Sequence, residues 1–101
     1  MSILIAEPIA ASTITITDDT LSVDLTDGRT ISVPLAWYPR LQHGSMAERN
    51  NWRFIGEKEG IHWPDLDEDI SVENLLTGKA STESQASLKK WLDQRDHNLS
   101  Q

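Results

Sequence analysis

The run TITITDDTLSVDLTDGRTISV, which spans residues 13–33, alternates apolar and small polar residues over three short segments. The segments are rich in β-branched side chains and are separated by Asp18-Asp19 and by Asp27-Gly28. A period of two in such a composition predicts β-strands that bury one face, and the acidic and glycine residues between them predict tight turns. The run therefore predicts a three-stranded antiparallel meander near the N-terminus.

The turns set the register of this meander, because directly opposed residues lie on the same face of a sheet. A two-residue first turn pairs Ile16 with Leu21 and keeps the apolar residues of both strands on one face. At the second turn, a two-residue type I′ hairpin would put Ile31 on the wrong face. We therefore predict a three-residue loop over residues 26–28, in which Gly28 takes the left-handed conformation of a bulged turn.

After the meander, the pattern changes to short helical segments. Residues 35–41 have the apolar spacing of a short helix, with Pro39 tolerated in its first turn. Residues 45–48 form a capping-box pattern, which predicts a second short helix running to about Asn51.

The remainder of the chain predicts a candidate second β-hairpin and two further helices. Residues 52–64 form the hairpin, and Asp65–Asp69 is expected to be an acidic loop. Ser71 is expected to cap a short helix closed by Gly78. Ser81 or Thr82 is expected to cap a last helix, whose end is polar and expected to fray. The apolar stripe of that last helix consists of Leu88, Trp91 and Leu92.

The expected fold is therefore α+β, with the meander first, short helices and the second hairpin after it, and a C-terminal helix last. A length of 101 residues suits a single domain. Residues 12–78 form its expected core, and residues 79–101 form the C-terminal helix and tail. That helix either docks on the domain through Trp91 or mediates association with a partner or a second copy.

Composition excludes several classes of protein. The chain has no cysteine, which excludes disulfide frameworks, thiolate zinc sites and cysteine nucleophiles. Its 38% hydrophobic and 25% charged residues are typical of a soluble globular protein. The mildly apolar segment before Ala11 has no basic region and is too short for a signal peptide or a membrane span. We expect a cytoplasmic protein with no membrane contact.

The net charge of −7 disfavours direct binding to nucleic acid, because that affinity comes largely from lysine and arginine at phosphates. It favours a basic or neutral protein partner. Three arginines, Arg40, Arg49 and Arg53, lie together in sequence. They form either an anion or partner patch or, as we favour, salt bridges to the acidic loop of the same molecule.

Two patterns suggest chemistry, and neither is complete. Asp65, Asp67 and Asp69 are spaced like the first ligands of an EF-hand calcium loop, but Ile70 and Leu76 occupy the glycine and glutamate positions. We therefore predict no metal and no cofactor.

His62 lies close in sequence to Asp65 and Asp67, which offers an acid–base pair for a small enzyme. A lone histidine between Ile61 and Trp63 is more typical of a structural side chain. The sequence also lacks a nucleophile elbow, a phosphate loop and a dinucleotide fingerprint. We predict that the protein is not an enzyme and keep the histidine site as an alternative.

The aromatic residues suggest a binding surface. Trp52 and Trp63 are expected to lie mainly in the core, and Trp37 with Tyr38 to form the more exposed pair. The hypothetical partner-binding surface joins this pair to one cation and to the acidic loop. It consists of Trp37, Tyr38, Arg40, Asp65 and Asp67.

Four blocks of sequence carry a family resemblance: DGRTISVPL at 27–35, WYPRL at 37–41, ERNNW at 48–52 and GIHWPDLDEDISVENLLTG at 60–78. The chain resembles, from roughly Ser12 to Gly78, the uncharacterised bacterial family known as domain of unknown function 2442. The resemblance implies a compact α+β fold with an N-terminal meander and no established activity.

Some members of that family carry an added helix-turn-helix, for which this chain has too few helices after Gly78. Others look like antitoxins or accessory partners encoded beside a small protein of another uncharacterised family, domain of unknown function 4160. The resemblance therefore favours a non-catalytic protein-interaction domain, antitoxin-like, with a small toxin-like protein as its partner. A DNA-linked transcriptional regulator is the alternative, and self-association stays open.

Overall fold

The computed structural model of the protein describes residues 9–99. The expectations for the apolar segment 1–8 and for the last two residues lie outside this range. The first three strands are β1 (Ala11–Ile16), β2 (Thr20–Leu25) and β3 (Thr30–Pro34), which form an antiparallel sheet in the order β1-β2-β3. The predicted N-terminal meander is confirmed.

Both turns of the meander give the predicted register. Ile16 lies opposite Leu21 across the first turn, and Ile31 lies opposite Val23 across the second. Gly28 has a φ of 96°, a left-handed conformation that glycine adopts readily because it has no Cβ. The predicted three-residue loop is therefore confirmed.

The two faces of this first sheet differ in polarity. Leu21, Val23 and Leu25 of β2 are buried on the inner face, as the alternation of side chains along a strand requires. On the outer face the hydroxyl oxygens of Ser22 and Ser32 lie 2.7 Å apart across β2 and β3. The sheet thus packs one side against the core and leaves a face of small polar side chains on the other.

Three short helical turns connect this sheet to the second one. A 3₁₀ turn over Leu35–Trp37 is followed by α1 (Pro39–His43) and α2 (Met46–Asn50). The predicted short helix is present as α1, with Pro39 in its first turn. It does not extend back over residues 35–37, because a proline disfavours the helical conformation at the residue before it. Tyr38, immediately before Pro39, accordingly has a ψ of 84°.

The helix caps follow the sequence signals. At α2 the Ser45 hydroxyl accepts a hydrogen bond from the Glu48 N–H, and the Glu48 carboxylate accepts one from the Ser45 N–H, so the predicted capping box is confirmed. The Ser71 hydroxyl caps α3 (Val72–Thr77), and Gly78 ends it with a φ of 76°.

The second sheet has one strand more than the sequence predicts. The predicted hairpin is present as β4 (Arg53–Ile55) and β5 (Gly60–Trp63). The acidic loop expected over residues 65–69 is wrong in its second half, where β6 (Glu68–Ser71) begins. Ile70 explains the extra strand, because it lies opposite Ile61 and is 2% exposed. The three strands are antiparallel in the order β4-β5-β6.

The last helix, α4 (Gln85–Leu99), starts later than the sequence predicts. Its cap is the Ser84 hydroxyl, which accepts a hydrogen bond of 3.0 Å from the helix backbone, and not Ser81 or Thr82. The Ser81 N–H instead donates to the Trp37 carbonyl at 2.9 Å, which holds this segment against the 3₁₀ turn. The helix extends to Leu99 and so includes most of the polar end. Within the described part of the chain, no helix is both long and apolar enough to cross a membrane.

A single cluster of buried residues joins both sheets, the short helices and α3. Trp63 is fully buried, as predicted, and its indole N–H donates to the Arg49 carbonyl at 2.9 Å. Trp52 is partly buried and packs against the cluster, which agrees with the prediction that it lies mainly in the core. The buried side chains outside the first sheet are Leu35, Tyr38, Leu41, Ile61, Trp63, Leu66, Ile70, Val72 and Leu75.

Candidate partner-binding cleft

The aromatic pair predicted to be exposed is largely internal. Tyr38 is 4% exposed, and its hydroxyl donates to the Lys79 carbonyl at 3.0 Å. Trp37 is half-buried. The prediction that Tyr38 belongs to the more exposed pair is therefore wrong, because the ring lies in the core and only its hydroxyl reaches the segment after α3. The sequence pattern does not reveal this hydrogen bond, which joins residues far apart in the chain.

Arg40 is the most highly connected side chain of the predicted surface. Its guanidinium donates to the Glu83 carboxylate at 2.5 to 3.0 Å and to the Leu66 and Asp67 carbonyls at 3.4 and 3.3 Å. The hydrogen bonds with Glu83 also raise the pKa of Arg40. Arg40 thus ties α1 to the turn before β6 and to the segment before α4.

The contacts of Trp91 show where α4 docks. Its indole packs against the core cluster, and the guanidinium carbons of Arg40 and Arg95 lie 4.9 and 4.6 Å from its ring centroid. Arg95 also pairs with Glu48 at 2.7 Å, which lowers the pKa of that carboxyl to about 2. The alternative in which α4 docks on its own domain is the one that the structure shows.

The two aspartates of the predicted surface have different surroundings. The Asp67 side chain is 88% exposed, with its carboxylate 3.6 Å from Arg40, whereas the Asp65 carboxylate accepts a hydrogen bond of 2.9 Å from Asn51. Of the three clustered arginines, Arg40 contacts the acidic turn, and Arg49 donates instead to two carbonyls of the α1 segment. The structure brings Tyr38, Arg40 and Asp67 to one region and ties Asp65 to α2.

His62 pairs with a different acid from the two that the sequence suggests. The predicted combination with Asp65 or Asp67 is wrong, because β6 places Asp69 directly opposite His62. The His62 Nδ1 atom is hydrogen-bonded to the Asp69 carboxylate. Arg53 is the neighbour of His62 on the other side, on β4. This pair was missed because it depends on β6, which the sequence pattern does not indicate.

A cleft of about 470 Å³ opens beside Tyr38, between β6, α3 and the segment that follows α3. Two acidic residues, Glu68 and Asp69, line the cleft, and Tyr38 and Ile70 form part of its apolar floor. Glu68 was not predicted as a site residue. The one sequence signal for an acidic surface here is that the chain has no lysine or arginine between Lys58 and Lys79. The other lining residues are Asn74, Lys79, Ala80, Ser81 and Thr82.

The two acids of the cleft differ in their electrostatics. Partial burial raises the pKa of Glu68, against the opposing effects of the Asp69 N–H and the charge of Arg40. Burial, together with the charge of Glu68, raises the pKa of Tyr38. The Asp69 side chain is 67% exposed. The cleft is therefore an acidic concavity with one partly desolvated carboxyl, which suits a positively charged group.

Among the residues that the structure describes, no group of three or more histidine and acidic side chains is placed to hold a metal ion. The cleft groups that could contact a ligand are two carboxylates, an amide, hydroxyls and the ammonium group of Lys79. The arrangement can accept hydrogen bonds from a cationic side chain, and its apolar floor can pack against the aliphatic part of that side chain.

Comparison with known proteins agrees with this architecture. The family model described as "Protein of unknown function (DUF2442)" matches residues 11–81. The chain belongs to the DUF2442 family. That match includes all six strands, α3 and the first part of the segment after α3, and it ends before α4.

A solved structure supports the fold. The chain is similar to a protein of unknown function from Rhodospirillum rubrum, with 25% sequence identity and a TM-score of 0.65. The similarity covers 78% of this chain and 98% of that one. No curated protein sequence matches this DUF2442 chain.

Proposed function

We propose that this DUF2442 protein is a non-catalytic protein-interaction domain whose acidic cleft holds a basic segment of a partner protein. The observation that carries the proposal is the concavity formed by Glu68 and Asp69 over Tyr38 and Ile70. A lysine or arginine placed there gains two carboxylates and an apolar floor.

The charges around the cleft support a basic partner. Residues 59–78 carry six acidic side chains and no lysine or arginine, and Asp67 and Asp69 present theirs to solvent. Such a one-signed surface accelerates encounters with an oppositely charged protein and disfavours acidic ones. Arg40 and Lys79 offset part of this charge. The Arg40 guanidinium is already engaged by Glu83 and by backbone carbonyls.

The proposed physiological role is that of an accessory partner, antitoxin-like, of a small basic protein encoded nearby. The resemblance to family members of that kind makes the product of the adjacent gene the first partner to test. In this proposal His62, which is hydrogen-bonded to the Asp69 carboxylate, has a structural role.

The test is calorimetric titration of the chain with that neighbouring protein, at low and at moderate salt. The variant Asp67→Asn with Asp69→Asn should weaken binding at least about tenfold and reduce its salt dependence. Asn tolerates the positive φ of 49° at Asp67, so the fold should be kept. The matched control, Asp18→Asn with Glu57→Gln, removes the same charge at exposed turns outside the cleft.

The control variant should bind like the unmodified protein. Two results contradict the proposal: no complex at micromolar concentrations, or equal weakening by both double variants, which would indicate only bulk charge. A gel shift with the DNA upstream of the gene, run with and without the neighbouring protein, separates this role from that of a DNA-linked regulator.

A further inference from the structure

The strand edges of the molecule are not equally protected. Exposed edges in soluble proteins are commonly blocked by charged residues, prolines, bulges or shortness. In the second sheet, β4 has three residues with Arg53 among them, and β6 has four residues with Glu68 and Asp69. In the first sheet, the edge strand β3 ends at Pro34, and α3 contacts it.

At the β1 edge, such protection is limited to a register shift at the start of the strand. The residues from Ser12 to Thr17 are serine, threonine and isoleucine only, with no charge and no proline. A register shift between Ala11 and Thr13 confines the irregularity to one end of the strand, so that Thr13–Ile16 is regular. This segment is therefore a regular, uncharged strand at the edge of a sheet.

The backbone of this segment presents hydrogen-bonding groups outward. The Thr17 N–H donates to the Thr20 carbonyl at 2.9 Å, and hydrogen-bonded pairs alternate along an antiparallel ladder. Thr15 and Thr13 are then bonded toward β2, while the N–H and C=O groups of Ile14 and Ile16 point away from it. Within residues 9–99, none of the hydrogen bonds outside the strand ladders involves either isoleucine.

The side chains at this edge are also incompletely covered. Ile14 and Ile16 lie on the inner face and pack against the core cluster, but both are only half-buried. Thr13 and Thr15 are exposed on the outer face. An added strand that repeats this alternation would cover the isoleucines and continue the threonine face.

We propose that β1 pairs antiparallel with β1 of a second copy of this chain, about a two-fold axis at Thr15. In this register Ile14 lies opposite the second copy's Ile16 and exchanges both backbone hydrogen bonds with it, and the symmetric pair does the same. The two meanders become one six-stranded sheet with both apolar faces on the same side. This surface is distinct from the acidic cleft.

The charges that flank β1 are compatible with this register. Asp18, which follows β1, falls opposite Ser12 of the second copy, and therefore the two Asp18 residues lie at opposite ends of the paired strands. Thr15 lies directly opposite Thr15 of the second copy, at a position where the side chains of an antiparallel pair come close. A charge placed at Thr15 would accordingly meet the same charge.

The test combines sedimentation equilibrium over a wide concentration range with hydrogen exchange at single amides. The full chain should dimerise by mass action, and the amides of Ile14 and Ile16 should become protected as concentration rises. The variant Thr15→Lys should raise the dissociation constant by about tenfold or more, because like charges then lie directly opposite.

The control is Ser32→Lys, which adds the same charge to the same outer face on β3, the opposite edge of the sheet. It should dimerise like the unmodified chain, and the circular dichroism melts of both variants establish that they fold. Three results overturn the proposal. The first is a monomer whose two isoleucine amides exchange fast at all concentrations, and the second is a dimer whose dissociation constant does not change in Thr15→Lys. The third is protection of these amides that does not depend on concentration, which would show that the chain's own residues cover the edge.

Discussion

Single side chains at the cleft are in environments that their sequence neighbours do not reveal. Glu68 lies in an acidic run that would be solvated in a loop, yet partial burial raises its pKa. A carboxyl of this kind binds a proton more tightly in the folded chain than in the unfolded one. Its contribution to the free energy of unfolding therefore falls as the pH rises from its ordinary pKa through the raised one.

The variant Glu68→Gln should accordingly increase the free energy of unfolding at pH 7.5 by on the order of 1 kcal/mol or less. The gain should vanish below about pH 4, where the carboxyl is protonated in both states. Urea denaturation at the two pH values measures both effects. Glu57→Gln, at an exposed turn position, should change neither value, and a loss of stability at neutral pH in Glu68→Gln would contradict the assigned environment.

At the scale of the element, the loop between β2 and β3 shows how one residue supports a register. Gly28 has a φ of 96°, and nothing lies within 4 Å of a Cβ built on it. The cost of a side chain there is thus conformational and not steric crowding. Gly28→Ala should lower the free energy of unfolding by about 1 kcal/mol, measured by thermal or urea unfolding. Gly28→Asn should cost less, because asparagine tolerates positive φ, and equal stability of the alanine variant would argue against the bulged turn.

The elements that the sequence predicts correctly are those in which local chemistry and packing agree. In the meander, the alternation of side chains between the two faces of the sheet is enough to select between two turns, because a one-residue slip would expose Ile31. The caps at Ser45 and Ser71 likewise depend on neighbouring residues. By contrast, β6 has a single buried apolar residue, Ile70, whose strand conformation depends on its partner Ile61 across the sheet. No periodicity within four residues can indicate that pairing.

The candidate site was less predictable than the fold for the same reason. Arg40 and Asp67 were expected at one surface, and they do meet. The contacts that bury Tyr38 and engage Arg40 come from Lys79 and Glu83, on the far side of α3. Such long-range hydrogen bonds have no signature in local sequence.

The whole molecule divides into two parts, which we call the body and the arm. The body contains both sheets and α1 to α3, and the arm is the segment 79–84 together with α4. The family model ends at residue 81, just after the start of the arm. The arm is held by the Arg40–Glu83 pair, by the Arg95–Glu48 pair and by the contacts of Trp91 with the guanidiniums of Arg40 and Arg95. Because the pKa of Glu48 is lowered to about 2, its pair stays charged at neutral and mildly acidic pH.

Trp91 joins the ion-paired arm to the core cluster. Its removal should release α4 while the body stays folded. In Trp91→Ala, the amides of residues 85–95 should exchange at least about tenfold faster, because the helix is too short to persist alone in water. The amides of β2 and β5 should keep their protection. Lys90→Ala, at the exposed neighbouring position, should leave α4 protected. Equal loss of protection in the arm and in both sheets would show instead that α4 and the body unfold as one cooperative unit.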